Sequence, residues 1–123
     1  LKIVSDVKNE EGGVNLITAF HVVEHLPDPR AVLLSLANVL AHDGRIVIEV
    51  PSSDDALLML YECDPFQKFT YWSNHLFLFN TETLITLAEQ AGLRTVTVDY
   101  FQRYPLSNHL YWLSNGQPGG HEK

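Results

Sequence analysis

The sequence predicts an α/β fold built around a mostly parallel sheet, and three observations predict it. Val14 to Phe20 (VNLITAF) is an almost unbroken apolar run with β-branched members, the pattern of a strand covered on both faces. A marked helix follows it directly. A second apolar run, Arg45 to Val50 (RIVIEV), follows that helix, and Pro51 stops it. Strands that alternate with helices in this way call for parallel pairing and crossover connections.

Taken in order, Leu1 to Val7 suits a short strand or an extended lead-in. The charged, glycine-terminated Lys8 to Gly13 (KNEEGG) reads as a loop. After the strand at Val14 to Phe20 comes a short switch, His21 to His25, and then a turn. Asp28 is a good N-cap and Pro29 suits the first helical position, where its missing donor costs nothing. Val32, Leu33, Leu36, Val39 and Leu40 fall on one helical stripe, and Gly44 lies just beyond the expected end. Ser52 to Leu60 can start another helix capped by Ser53 or Asp54. Tyr61 to Phe79 is long, aromatic and irregular, as a lid, a binding loop or a run of short helices would be. Asn80 or Thr81 caps a further helix with Leu84, Leu87, Ala88 and Ala91 as its buried stripe, closed by Gly92. Leu93 to Phe101 alternates cleanly and reads as a strand. Asn108 to Leu113 fits a return strand or a helical turn, and Gly116 to Gly120 is a loop.

The totals bound what such a fold does. The 123 residues suffice for one domain with a real core. A net charge of -7 argues against non-specific nucleic-acid binding, which needs Lys and Arg on phosphates. The single cysteine, Cys63, rules out an internal disulfide framework and a cysteine zinc cluster; with no activating neighbour it reads as inert. No apolar run approaches membrane-spanning length and no signal peptide opens the chain, so a cytoplasmic protein is expected. The chain starts at Leu1 and ends in a polar tail, which reads as a piece of something longer.

Chemistry is expected at His21 to His25, because ligands of open α/β sheets bind beyond the carboxyl ends of the strands. His21, Glu24 and His25 spell H-x-x-E-H, also the inverted zinc-peptidase signature. That chemistry needs both imidazoles on one helix face. Here a strand precedes the motif and Pro27 and Pro29 follow it, so the helix is missing and no third ligand can be assigned. A structural loop, with Glu24 or His25 satisfying backbone donors, stands beside a ligand-binding loop as the other reading. His75 lies between aromatic runs and fits a packed or a functional histidine equally. Tyr71, Trp72 and Phe77 fit a pocket lining or a core. Neither phosphate-cradling glycine motif, G-x-G-x-x-G or G-x-x-x-x-G-K-[ST], is present.

Three ordered segments, LITAFHVVEHLPDP, HDGRIVIEVPS and NTETLITLAEQAGL, resemble class I S-adenosylmethionine-dependent methyltransferases, in particular quinone and sugar C-methyltransferase-like branches. Val22 to Pro29 matches the stretch that ends that family's fourth strand. Asp43 to Pro51 matches the next helix-to-strand passage, with Asp43 replacing a glycine. Leu87 to Leu93 matches a late L-x-x-A-G-F, with leucine for phenylalanine. The resemblance implies a partial Rossmann-like three-layer sandwich over residues 1–123. It would hold strands four to seven, mostly parallel with an antiparallel last strand, and lack the glycine-rich cofactor-binding half.

The resemblance further implies S-adenosylmethionine as cofactor, flanked by Phe20, His21 and Val22, and a small-molecule acceptor near Glu24, Asn74 and His75. His21 and His25 are the candidate bases. In some quinone-methylating relatives the matching acidic and histidine positions carry a metal; His21 stands where those have glutamate, and no metal is expected here. Without its usual neighbour the strand at residues 14–20 would be a bare edge, so self-association through it is expected. The rival reading is a non-catalytic α/β binding or interaction module whose histidines are structural.

Overall fold

The computed structural model describes residues 13–72 and 74–120. The expected lead-in at residues 1–7 and most of the loop after it lie outside the described residues. Within them, strand β1 (Val14–Phe20) leads through a 3-10 turn (Val23–His25) into α1 (Pro29–Val39), and β2 (Leu40–Glu49) returns parallel to β1. Four helices follow: α2 (Ala56–Met59), α3 (Asp64–Trp72), α4 (Thr81–Gln90) and α5 (Leu106–Asn115). The α/β class and the parallel strand–helix–strand unit are as expected. Among the described residues the sheet has two strands, extended by one parallel bridge between Ser52 and Phe79.

The predicted caps explain the helix starts. Asp28 Oδ1 accepts the Ala31 amide at 3.0 Å, and Pro29 fills the first helical position of α1. Asn80 and Thr83 form a reciprocal capping box at α4, each side chain taking the other's backbone N–H. Helix α2 is capped by Asp55, whose Oδ1 accepts from Leu57 at 2.8 Å, and not by Ser53 or Asp54. The long aromatic connection holds α3.

Helix α1 ends at Val39, before the expected Leu40, and Gly44 belongs to β2. Val14 pairs with Leu40, yet Leu16 pairs with Arg45, so β2 bulges between them. A Cβ on Gly44 would sit 2.7 Å from the Val14 carbonyl oxygen. Glycine is there for close approach in the bulge, not to close a helix.

One face of the sheet carries the core. Ala19, Leu33, Leu36, Phe79 and Ala91 are buried together, with Ile17, Ile46, Ile48 and Leu87 against them. Leu33 and Leu36 of α1 and Leu84 and Leu87 of α4 pack into this cluster, whereas Val32, placed on the predicted stripe, is exposed. The expectation that β1 is covered on both faces is not met among the described residues. Leu16 and Phe20 point to the opposite side and are 59% and 52% exposed. A smaller cluster joins Leu57, Cys63 and Trp112, with Phe66 edge-on to Trp112 at 5.2 Å. Cys63 is buried, its thiol directed at the Trp112 carbonyl.

The strand expected over Leu93–Phe101 and the antiparallel last strand are also corrected. Residues 93–105 are irregular, and Asn108–Leu113 lies inside α5. A strand needs a neighbour to satisfy its backbone, and no described strand lies beside this segment. Asn108 and Trp112, one helical turn apart, are buried on the same side of α5, and Asn108 Nδ2 donates to the Gly119 carbonyl at 2.9 Å.

Candidate functional site

β1 ends at Phe20 and the chain turns at once. His21 adopts φ +52, a left-handed conformation that a non-glycine residue seldom takes. Its N–H still donates to the Glu49 carbonyl at 2.9 Å, carrying the ladder one residue beyond the strand. The turn that follows is a single 3-10 turn rather than a helix, because Pro27 and Pro29 come too soon after it. That removes the geometry a zinc-peptidase helix requires. The turn buries Val23 and Glu24, and Glu24 is 0% exposed.

A second segment docks on this turn from fifty residues downstream. The amides of Leu76 and Phe77 both donate to the Glu24 carbonyl, at 2.9 and 3.2 Å. His25 Nδ1–H donates to the Asn74 carbonyl at 2.9 Å, where Asn74 is itself at φ +63. His75 Nδ1–H donates to the Thr70 carbonyl at 3.0 Å, and the rings of His25 and His75 stand 4.9 Å apart. A carbonyl only accepts, so in both imidazoles Nδ1 carries a hydrogen.

The carboxylate of Glu24 lies between imidazoles. Its Oε1 is 3.4 Å from His21 Nδ1 and 3.7 Å from His25 Nε2. Neither Glu24 oxygen has a hydrogen-bond partner among the described residues. An ionised carboxylate buried without donors costs on the order of several kcal/mol unless a counter-charge stands beside it. On the other side of His21, Nε2 donates to Glu49 Oε1 at 3.0 Å. Arg103 Nη1 lies against the same ring nitrogen and 3.7 Å from Glu49 Oε1, so guanidinium and imidazole share one acceptor.

Phe20, His21, Val22, Glu24, His25, Asn74 and His75, the candidate site residues, fall in or beside this cluster. Phe20 and Val22 stand exposed at the strand's end. Glu24, expected to face an acceptor, is enclosed. Asn74 contributes its main-chain oxygen. Phe77 stacks on Phe79 at 5.9 Å, beside a shallow apolar groove floored by Pro29 and Leu87. Glu49, Thr70 and Arg103 were not foreseen: nothing in the spacing of a strand-end glutamate, a helical threonine or an arginine far downstream marks them. Glu24, His25 and His75 can each present one ligand atom with all three within 4.8 Å of one another. Two imidazole nitrogens and an unpartnered carboxylate fit a divalent cation.

Comparison with known proteins places the site inside a matched region. A family model described as a methyltransferase domain matches residues 3–98. The C-methyltransferase NovU of Streptomyces niveus is 30% identical over 97 residues, which is 79% of this chain and 22% of that protein. The chain thus spans under a quarter of the length of the curated relative it matches. No solved structure matches the chain. Arg103 and α5 lie beyond the residues that the family model matches.

Proposed function

The chain belongs to the methyltransferase-domain family, and from that premise we propose that it serves methyl transfer from S-adenosylmethionine to a small-molecule acceptor. It does so as part of a longer enzyme whose glycine-rich half holds most of the cofactor. The observation that carries the reading is the gathering of His21, Glu24, His25 and His75 at the carboxyl end of β1, where open α/β sheets take their ligands.

In the proposed reaction the acceptor's lone pair attacks the sulfonium methyl in line. The carbon–sulfur bond breaks and sulfur keeps its electron pair, leaving S-adenosylhomocysteine. The protein's part is positioning and exclusion of water. Phe20, His21 and Val22 flank the cofactor. Asn74 and His75 stand on the acceptor side, and Glu24, enclosed between the imidazoles of His21 and His25, acts through its charge rather than by touching the acceptor. A carbon or oxygen nucleophile gives up a proton, and His21 or His25 receives it.

Supporting this over a non-catalytic module is the strained φ at His21 beside an unsatisfied buried carboxylate, an arrangement a purely structural turn does not need. Calorimetric titration of S-adenosylhomocysteine into this chain and into an upstream-extended form tests it. Binding to the longer form alone is expected. Binding to neither sinks the methyltransferase reading in favour of an interaction module.

A further inference from the structure

We propose that Glu49 and Arg103 are positioning residues for His21: they compete for its Nε2 and so decide whether that nitrogen carries a hydrogen or a lone pair. This role rests on the reading of His21 as a proton acceptor in methyl transfer. It brings in two residues from outside the H-x-x-E-H motif.

The two neighbours of Nε2 make opposite demands. A carboxylate only accepts, so the 3.0 Å contact with Glu49 Oε1 needs a hydrogen on the nitrogen. A guanidinium only donates, so the contact with Arg103 Nη1 needs a lone pair there. One ring nitrogen cannot serve both at once, and the trio therefore has two exclusive arrangements. In the first, Nε2–H donates to Glu49 and Arg103 stands off. In the second, Arg103 donates to Nε2, and its guanidinium, 3.7 Å from Glu49 Oε1, neutralises the carboxylate that otherwise claims the ring.

The far side of the ring supports the second arrangement. Nδ1 faces Glu24 Oε1 at 3.4 Å, and that oxygen has no hydrogen-bond partner among the described residues. With a lone pair on Nε2, the neutral ring carries its hydrogen on Nδ1, turned toward the buried carboxylate. Because Glu24 is wholly enclosed, an acceptor cannot reach Nδ1 from that side, and Nε2 is the nitrogen left to it. The acceptor then takes the place of Arg103. Its proton passes to Nε2 as its electron pair goes to the methyl carbon, and the new Nε2–H finds Glu49 as its acceptor.

The fold delivers the two competitors by different means. Glu49 pairs with Phe20 in the parallel register, and its carbonyl takes the His21 N–H at 2.9 Å, so the sheet fixes it beside the ring. Arg103 comes from the irregular segment at residues 93–105 and is half exposed. The arginine is the competitor free to leave.

Nitrogen NMR of the chain, isotope-labelled in its histidine rings and held at one fixed pH, tests this by reading which His21 nitrogen carries hydrogen. His21→Ala identifies the signals. Arg103→Met keeps the stem and deletes every donor, so the hydrogen-bearing share of Nε2 should rise. Glu49→Met deletes the acceptor, so that share should fall. Arg103→Lys restores a donor and should bring it back toward the parent. Arg103 belongs to neither core cluster, so its variants probe the ring rather than the fold. In an upstream-extended enzyme that turns over, Arg103→Met should lower kcat by less than the roughly 10²- to 10⁴-fold that loss of a general base costs, with KM for S-adenosylmethionine held. His42→Ala, at an exposed pair with Asp43, should move neither readout. His21 signals that ignore Arg103→Met, or that shift the same way in Arg103→Met and Glu49→Met, overturn the competition. A ring that responds while kcat does not overturns its part in methyl transfer. The NMR arm needs no cofactor, so its failure and that of the methyltransferase reading are separately visible.

Discussion

The carboxyl end of β1 and its outer face break the usual rule of burial in opposite directions. At the end, a carboxylate with no hydrogen bond among the described residues is wholly enclosed; along the face, Leu16 and Phe20 stand largely in water. Buried polar groups and exposed apolar patches are the two deviations that carry information, because most residues obey the rule. One strand holding both teaches that its two regions answer to different partners. In the proposed reading the end takes a small ligand, and the face a surface that shields it.

The sharpest way to break the comparison is at the end. His21→Ala and His25→Ala in a turning-over form of the enzyme should each lower kcat by about 10²- to 10⁴-fold if that imidazole takes the proton. Cofactor affinity should change far less. Turnover unchanged in both would remove chemistry from the turn.

Next in size is Glu24→Met. Removing a buried carboxylate that has no hydrogen-bond partner among the described residues removes its desolvation cost, on the order of several kcal/mol. Urea unfolding should therefore show the variant as stable as the parent or more so. A less stable variant would show that the carboxylate holds the fold together, and the contrast with the apolar face would dissolve.

The smallest effect belongs to the face. Among the described residues β1 pairs on one edge alone, and an open strand edge with exposed apolar side chains is a template for another chain, so light scattering at rising concentration should show association. Leu16→Lys should reduce it. A monomer throughout would leave the face to some other partner.

Much of the fold was legible because its signals are local. Asp28 with Pro29, and Asn80 with Thr83, mark helix starts by the chemistry of a few adjacent atoms. The apolar runs at 14–20 and 45–50 read correctly as parallel strands. The segment at 93–101 misled because alternation describes what a strand would bury and says nothing of whether a neighbour is present. At Asn108–Leu113 a four-residue spacing of Asn108 and Trp112 was available, but a segment that short fits either period. In the site, His21, Glu24 and His25 were visible as a motif. What the motif could not show is that Glu24 points inward, or that His75 closes on His25 across fifty residues. Those facts depend on a loop bonding to a turn through main-chain atoms, which leave no mark in side-chain identity.

That anchoring has a consequence for change by mutation. The loop is moored by the Leu76 and Phe77 amides, and His25 is steered by the Asn74 carbonyl. All three are groups that nearly every amino acid supplies. Side chains at positions 74, 76 and 77 can therefore be exchanged to reshape what the site admits while the mooring stays. Proline at 76 or 77, which has no N–H to give, is the substitution that would cast it off.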